Sequence, residues 1–111
     1  MTIQTICSVD DLAKDSGVCA LVTIKGKAQQ VAIYYLPKTE QRVFALSNWD
    51  PIGKANVMSR GMVGNIGEEL VVASPLYKQH FSLISGRCLE EEVSLNVYDV
   101  YIDNGSVMVR D

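Results

Sequence analysis

The sequence predicts an all-β protein, a small sandwich or barrel of about nine short strands. Three observations predict this class. No segment keeps the helical spacing of apolar side chains over three turns. Runs rich in β-branched residues recur along the chain, and Gly, Pro, Asn and Asp separate them. The turn Asp103-Asn104-Gly105, between the β-prone runs 97–102 and 107–110, contains the Asn-Gly pair typical of tight hairpins.

The first half of the chain predicts four strands. The β-branched and aromatic residues that favour strands are concentrated in 2–9, 18–24, 30–36 and 42–47. A polar connector with room for one helical turn separates the first two runs, and Lys25-Gly26-Lys27 is expected to form the exposed tip of a hairpin between the second and third.

The run 42–47 has an unusual pattern for a strand beside solvent. Val43 and Ala45 fall on one face, and Phe44 and Leu46 fall on the other. Since both faces are apolar, we expect both to be covered.

A loop follows this strand at 48–53, because Asn, Asp, Pro and Gly favour or force turns. The loop carries the only tryptophan, Trp49. We expect its side chain either to cover the core or to anchor an interface with another protein. The glycines of 59–67 do not predict a phosphate-binding loop, because a strand rather than a helix follows them. Asn65-Ile66-Gly67 is predicted instead to be a hairpin turn.

The stretch 71–89, VVASPLYKQHFSLISGRCL, predicts a strand, a loop, a second strand and a turn. Pro75 ends the first strand because it cannot donate to a sheet ladder. His80 to Leu83 alternates like a half-buried strand, and Ser85-Gly86-Arg87 supplies the turn.

Composition limits the possible classes. A chain of 111 residues predicts one domain, 1–111. The longest apolar run, 18–24, is too short to span a bilayer, and no signal peptide is recognisable, so we expect a soluble cytoplasmic protein. A net charge of −3 with scattered basic residues argues against nucleic-acid binding. The run Glu90-Glu91-Glu92 is expected to be a solvated surface.

No catalytic or metal centre is predicted from residue types and spacing. Cys7, Cys19 and Cys88 form no CxxC pair and are expected to be free thiols. A site combining them with His80 is formally possible, but structural zinc ligands usually come in closely spaced pairs. His80 is expected to be a satisfied structural histidine, since no nucleophile motif accompanies it.

Two segments resemble the cluster-binding loops of Rieske iron–sulfur domains. SPLY at 74–77, followed by Phe81, Leu83 and Ser85-Gly86, resembles the family's Cys-Pro-x-His loop. ALSNWDP at 45–51 falls where the family has its Cys-x-His loop. The resemblance implies a Rieske-like fold. The positions of the four ligands, however, hold Asn48, Asp50, Ser74 and Tyr77. Rieske centres use two thiolates and two imidazoles, so we expect a degenerate cluster-binding subdomain without cofactor or metal.

Within that family, the chain resembles the small subunits of assimilatory NAD(P)H-dependent nitrite reductases. FALSNWDP, MSRGMVG and ELVVASPLYKQHFSLISGRCLEEE carry this resemblance. It implies an accessory subunit of an oxidoreductase, itself without a catalytic site, whose partner large subunit holds FAD, [4Fe-4S] and sirohaem and reduces nitrite to ammonium. Trp49, Pro51, Leu76 and Tyr77 are then expected to dock on that partner. The alternative is a Rieske-type [2Fe-2S] electron-transfer protein.

Overall fold

The computed structural model describes residues 3–110, whose regular secondary structure consists of β-strands and two short 3-10 turns, Val9–Asp11 and Met58–Arg60. The all-β prediction is therefore confirmed. This part of the chain has no helix with the length and apolar character needed to cross a membrane. The strands are β1 (Ile3–Ser8), β2 (Ser16–Ile24), β3 (Lys27–Tyr35), β4 (Val43–Ser47), β5 (Trp49–Asp50), β6 (Ala55–Asn56), β7 (Met62–Ile66), β8 (Glu69–Ala73), β9 (His80–Ser82), β10 (Val97–Asp103) and β11 (Ser106–Arg110).

Six of the strands form one antiparallel sheet in the order β1-β11-β10-β4-β3-β2. The pairing of β1 with β11 is irregular between Thr5 and Cys7, and such bulges increase the local twist. The two outer strands approach each other, because the side-chain amide of Gln4 on β1 donates to the carbonyl of Thr23 on β2 at 2.5 Å. The sheet is therefore nearly closed into a barrel.

β4 separates the two apolar clusters of the molecule. Val43 and Ala45 pack inside the barrel with valines of β3, β10 and β11. Phe44 and Leu46 pack on the opposite side, with side chains that include Phe81. These four side chains are all buried. The prediction that both faces of this strand are covered is confirmed.

The second cluster lies between the barrel and a smaller layer, made of the sheet β7-β8-β9 and the pair β5-β6. Tyr34 on β3 links the barrel to this layer, because its hydroxyl donates a hydrogen bond to the carbonyl of Met58 at 2.6 Å. Burial raises the pKa of the Tyr34 phenol well above its usual range. Gly17 on β2 lets the same turn approach closely, since a Cβ there would lie 2.6 Å from the carbonyl oxygen of Ser59.

Two hairpin turns form where the sequence predicts them, and a third forms at a different position. Lys25 and Gly26 have φ values of 51° and 81°, and Asn104 and Gly105 have 53° and 79°, as two-residue hairpin turns require. The turn predicted at Asn65-Ile66-Gly67 lies further along the chain. Ile66 pairs with Glu69, so the turn lies at 67–68, where Gly67 supplies the positive φ of 61°.

Residues 3–110 form eleven strands, against about nine predicted. The difference includes β5 and β6, each of two residues, in a region predicted as loop. Trp49 pairs with Asn56 and Asp50 with Ala55. This pairing forms because the loop folds back on itself around Asp50, and no local periodicity indicates it.

Candidate functional site

Two loops of the smaller layer lie side by side at one end of the molecule. The first, 48–54, follows β4, and the second, 74–79, joins β8 to β9. The hydroxyl of Ser74 donates a short hydrogen bond to Oδ2 of Asp50. Close packing reinforces this link, because a Cβ on Gly53 would collide with the side chain of Leu76. The two loops are therefore joined by a polar contact and an apolar one.

Asp50 is the centre of the first loop. Its carboxylate is fully buried. Oδ1 accepts hydrogen bonds from the backbone N–H groups of Ile52, at 2.8 Å, and Gly53, at 3.0 Å. With Ser74 on Oδ2, both carboxylate oxygens are engaged inside the protein. This arrangement holds the loop's turn and satisfies the buried charge with hydrogen bonds, as burial of a carboxylate requires.

Ser74 organises the second loop in a similar way. Its carbonyl accepts from the N–H of Lys78 at 3.0 Å, and its N–H donates to the carbonyl of Gln79 at 2.9 Å. The side-chain oxygen also accepts from the N–H of Leu76 at 3.3 Å. The loop is thus closed on itself, with Leu76 and Tyr77 held outward between these bonds.

Asn48 faces the barrel rather than the other loop. Its Oδ1 accepts from the N–H of Ser59 at 2.7 Å. Its Nδ2 donates to Oε1 of Gln30 at 3.1 Å and to the sulfur of Cys19 at 3.5 Å. The side chain is 2% exposed, so it joins the first loop to β2 and β3.

The side chains of the tip point to solvent. Trp49 is 45% exposed, Leu76 is 44% and Tyr77 is 65%, while Pro51 is half-buried. We call these four residues the tip surface. Of the four residues expected at degenerate ligand positions, the structure brings Asp50 and Ser74 into contact, turns Asn48 towards β3 and leaves Tyr77 exposed.

These residues do not fit a [2Fe-2S] cluster. The buried oxygens of Asp50 and Ser74 bond to each other and to backbone N–H groups, and none of the four positions offers a thiolate or imidazole. Among residues 3–110, no three His, Cys, Asp or Glu side chains are grouped as metal ligands. We derive no chemistry through a cluster in this chain.

The three cysteines have separate environments and are all free thiols. Cys7 is half-buried on β1, where desolvation and, to a lesser extent, the charge of Asp11 raise its pKa. Cys19 is exposed on β2 beside Asn48. Cys88 is buried near Glu90.

The sequence did not predict the contacts that His80 makes. Nδ1 of His80 lies 2.7 Å from Oε2 of Glu90, and its backbone N–H donates to Oε1 at 2.7 Å. His80 is thus satisfied, as expected, but by a surface ion pair. Glu90, at the start of the acidic run, is engaged rather than simply solvated. No spacing rule identifies this pair, because a turn brings its members together.

Comparisons with known proteins agree on one family. The model of the Rieske-like [2Fe-2S] domain family matches residues 2–110. The chain is 44% identical over 108 residues to the nitrite reductase (NADH) small subunit of Salmonella typhimurium, covering 96% of this chain and 95% of that protein. The crystal structure of an NADH-dependent nitrite reductase small subunit from Mycobacterium tuberculosis is 37% identical, with a TM-score of 0.84, covering 97% of this chain and 93% of that one.

A third comparison is of a different kind. The chain is 36% identical over 107 residues to part of the nitrite reductase [NAD(P)H] large subunit of Klebsiella oxytoca. The match covers 96% of this chain but 10% of that protein. A domain of this family is therefore part of a much longer polypeptide in that organism.

Proposed function

Because the chain belongs to the Rieske-like [2Fe-2S] domain family and, within it, to the nitrite reductase (NADH) small subunits, we propose that it is a non-catalytic accessory subunit of a cytoplasmic NAD(P)H-dependent nitrite reductase. It docks on the large subunit, whose FAD, [4Fe-4S] and sirohaem reduce nitrite to ammonium in nitrate and nitrite assimilation. This chain contributes structure and contacts, and holds no cofactor.

The hydrogen bond between Ser74 and Asp50 is the observation that carries this proposal. In a Rieske domain, the metal centre joins the two loops. Here a serine hydroxyl and a carboxylate join them, so the loop arrangement persists without iron. The scaffold retained in this way presents an apolar tip instead of a redox group.

Two further observations support docking through that tip. Trp49 and Tyr77 are large aromatic side chains held partly or mostly in solvent, and such residues are enriched among those that dominate binding energy. The Klebsiella oxytoca large subunit includes a domain like this chain in one polypeptide. A covalent arrangement in one organism is consistent with non-covalent association in another.

The absence of a cluster is tested on the protein as purified. After anaerobic purification, we expect a colourless chain with no visible absorption band and no iron by elemental analysis. A brown preparation with bound iron and labile sulfide would overturn the accessory role and favour a Rieske-type electron carrier.

Docking is tested with Trp49→Ala combined with Tyr77→Ala. We expect this variant to fold and to lose most of its co-purification with the large subunit, because truncation of interface hot spots costs about 2 kcal/mol or more each. The matched control is Ile3→Ala with Ile84→Ala, two apolar side chains that are 49% and 56% exposed, on β1 and in the turn after β9. If the tip variant is folded and still associates like the wild type, docking through the tip surface is wrong.

A further inference from the structure

Charge is distributed unevenly around the tip surface. The chain as a whole has a net charge of −3. Yet the segments 51–67 and 70–89, which continue from the two tip loops, contain no Asp or Glu. Glu68 and Glu69 separate the two segments, but they lie at the end of the β7–β8 hairpin that is remote from the second tip loop. Asp50, which precedes the first segment, is buried and bonded to Ser74 and backbone N–H groups. The exposed charges within the two tip loops, those of Lys54 and Lys78, are both positive, and so is that of Arg60 in the 3-10 turn Met58–Arg60.

The fold brings these three cations to the border of the tip. Arg60 and Lys78 line the same hollow, of about 270 Å³, together with Met62, Ala73, Ser74 and Pro75. Lys54 follows Gly53, the residue that packs against Leu76. Positive groups therefore come from both loops and from the 3-10 turn that precedes β7.

None of these cations has a carboxylate partner among residues 3–110. The two ion pairs in that part of the chain are His80 with Glu90 and Arg110 with Asp99. Three like charges around one surface, without internal compensation, favour a partner of opposite charge.

Met62 adds exposed apolar surface beside the tip surface. It is 80% exposed, more than any other large hydrophobic side chain of the described residues, and it lies in the hollow between Arg60 and Lys78. An apolar centre with a charged margin is the usual anatomy of a protein interface.

We propose that Lys54, Arg60 and Lys78 form a cationic rim that pairs with carboxylates surrounding an apolar patch on the large subunit. This inference rests on the proposed docking of the tip surface and adds the chemistry of the partner's side. The apolar tip supplies most of the affinity, and the rim directs approach and orientation, since rim charges act mainly on association rate and salt dependence.

The test measures the dissociation constant of the chain for the large subunit. Arg60→Glu combined with Lys78→Glu is compared with the wild type at an ionic strength of about 0.01 M, where the Debye length is about 30 Å, and at about 1 M, where it is about 3 Å. We expect binding at least about tenfold weaker at low ionic strength, because like charges then face each other, and a much smaller difference at high ionic strength.

The matched control is Lys14→Glu combined with Lys38→Glu, which makes the same change in net charge. Both lysines are exposed. They lie near Tyr35, whereas the first tip loop begins beside Gln30, at the other part of β3. We expect the control to bind within about twofold of the wild type. An equal loss of binding in the control would overturn the proposed role of the rim, because the change in net charge would then explain the effect.

Two other results would also overturn the proposal. If Arg60→Glu with Lys78→Glu binds like the wild type while Trp49→Ala with Tyr77→Ala does not, the tip docks but its cations do not recognise the partner. If the chain forms a dimer on its own and the variant Arg60→Glu with Lys78→Glu is monomeric, a second copy of the chain occupies this surface. Failure of docking itself is recognised separately, by unchanged binding of the tip variant.

Discussion

Asp50 and Ser74, two residues expected at degenerate ligand positions, have a structural role. The carboxylate accepts two backbone N–H groups of its own loop and the hydroxyl of the other loop. A buried charge with three donors is stable where an unpaired one would be costly. Each loop therefore depends on a residue of the other.

We expect Asp50→Ala to lower the free energy of unfolding by about 2 to 4 kcal/mol, because it leaves buried donors without acceptors. Ser74→Ala should cost about 1 to 3 kcal/mol. The double variant should cost less than the sum, with a coupling of about 1 to 2 kcal/mol. Urea unfolding of the four proteins measures this cycle.

A control for this cycle is Asp103→Ala, which removes an exposed carboxylate on β10. It should change the stability by no more than about 0.5 kcal/mol. Strict additivity of the Asp50 and Ser74 effects would show that the two side chains do not act together.

At the scale of elements, β9 depends on a segment that carries no regular structure. The N–H and imidazole of His80, at the start of β9, both contact Glu90, and the N–H of Leu89 donates to the carbonyl of His80 at 2.8 Å. Partial desolvation would raise the pKa of Glu90, but the hydrogen bonds and charge of His80 prevail and hold it below its ordinary value of 4.5. The chain after the Ser85-Gly86-Arg87 turn is held to β9 through this carboxylate.

A carboxyl group whose pKa is lowered by folding stabilises the folded state above its unfolded pKa, and this contribution disappears as the pH falls through the folded pKa. We therefore expect Glu90→Gln to reduce stability near neutral pH, by no more than about 1 kcal/mol because the pair is solvent-exposed. The difference from the wild type should vanish in acid, below the ordinary range of Glu. Glu91→Gln is the neighbouring control, and a difference that persists unchanged into acid would refute the assignment.

At the scale of the whole molecule, β4 joins the barrel to the smaller layer. Its alternate side chains belong to different clusters, so neither cluster is complete without this strand. Tyr34 on the neighbouring strand β3 adds a hydrogen bond to the turn at Met58. We propose on this basis that residues 1–111 form one cooperative domain.

This proposal predicts coincident unfolding of barrel and tip. The fluorescence of Trp49, the only tryptophan, reports on the tip loop, and far-UV circular dichroism reports mainly on the strands. In urea, we expect both signals to give the same midpoint and slope, as two-state unfolding requires. A Trp49 transition at clearly lower urea would mean that the smaller layer unfolds by itself.

Features that depend on near neighbours in the chain were predictable from the amino-acid sequence alone. The continuous apolar run 43–46 predicted that both faces of β4 are covered, and Asn104-Gly105 predicted the final hairpin, because side-chain period and positive φ are local properties. The loss of Rieske ligands at positions 48, 50, 74 and 77, which the family resemblance and the residue identities indicate, stays a prediction. The position of the hairpin turn after β7 was misplaced, since pairing register with β8 decides it.

Tertiary packing set the contacts of the residues at the expected ligand positions. It placed Ser74 on Asp50, 24 residues away in the chain, and turned Asn48 towards Gln30. It also brought Arg60 and Lys78 around one hollow. These contacts depend on how two layers pack around a common core, and the dihedral preferences and periodicity of single segments contain no information about the distance between such loops.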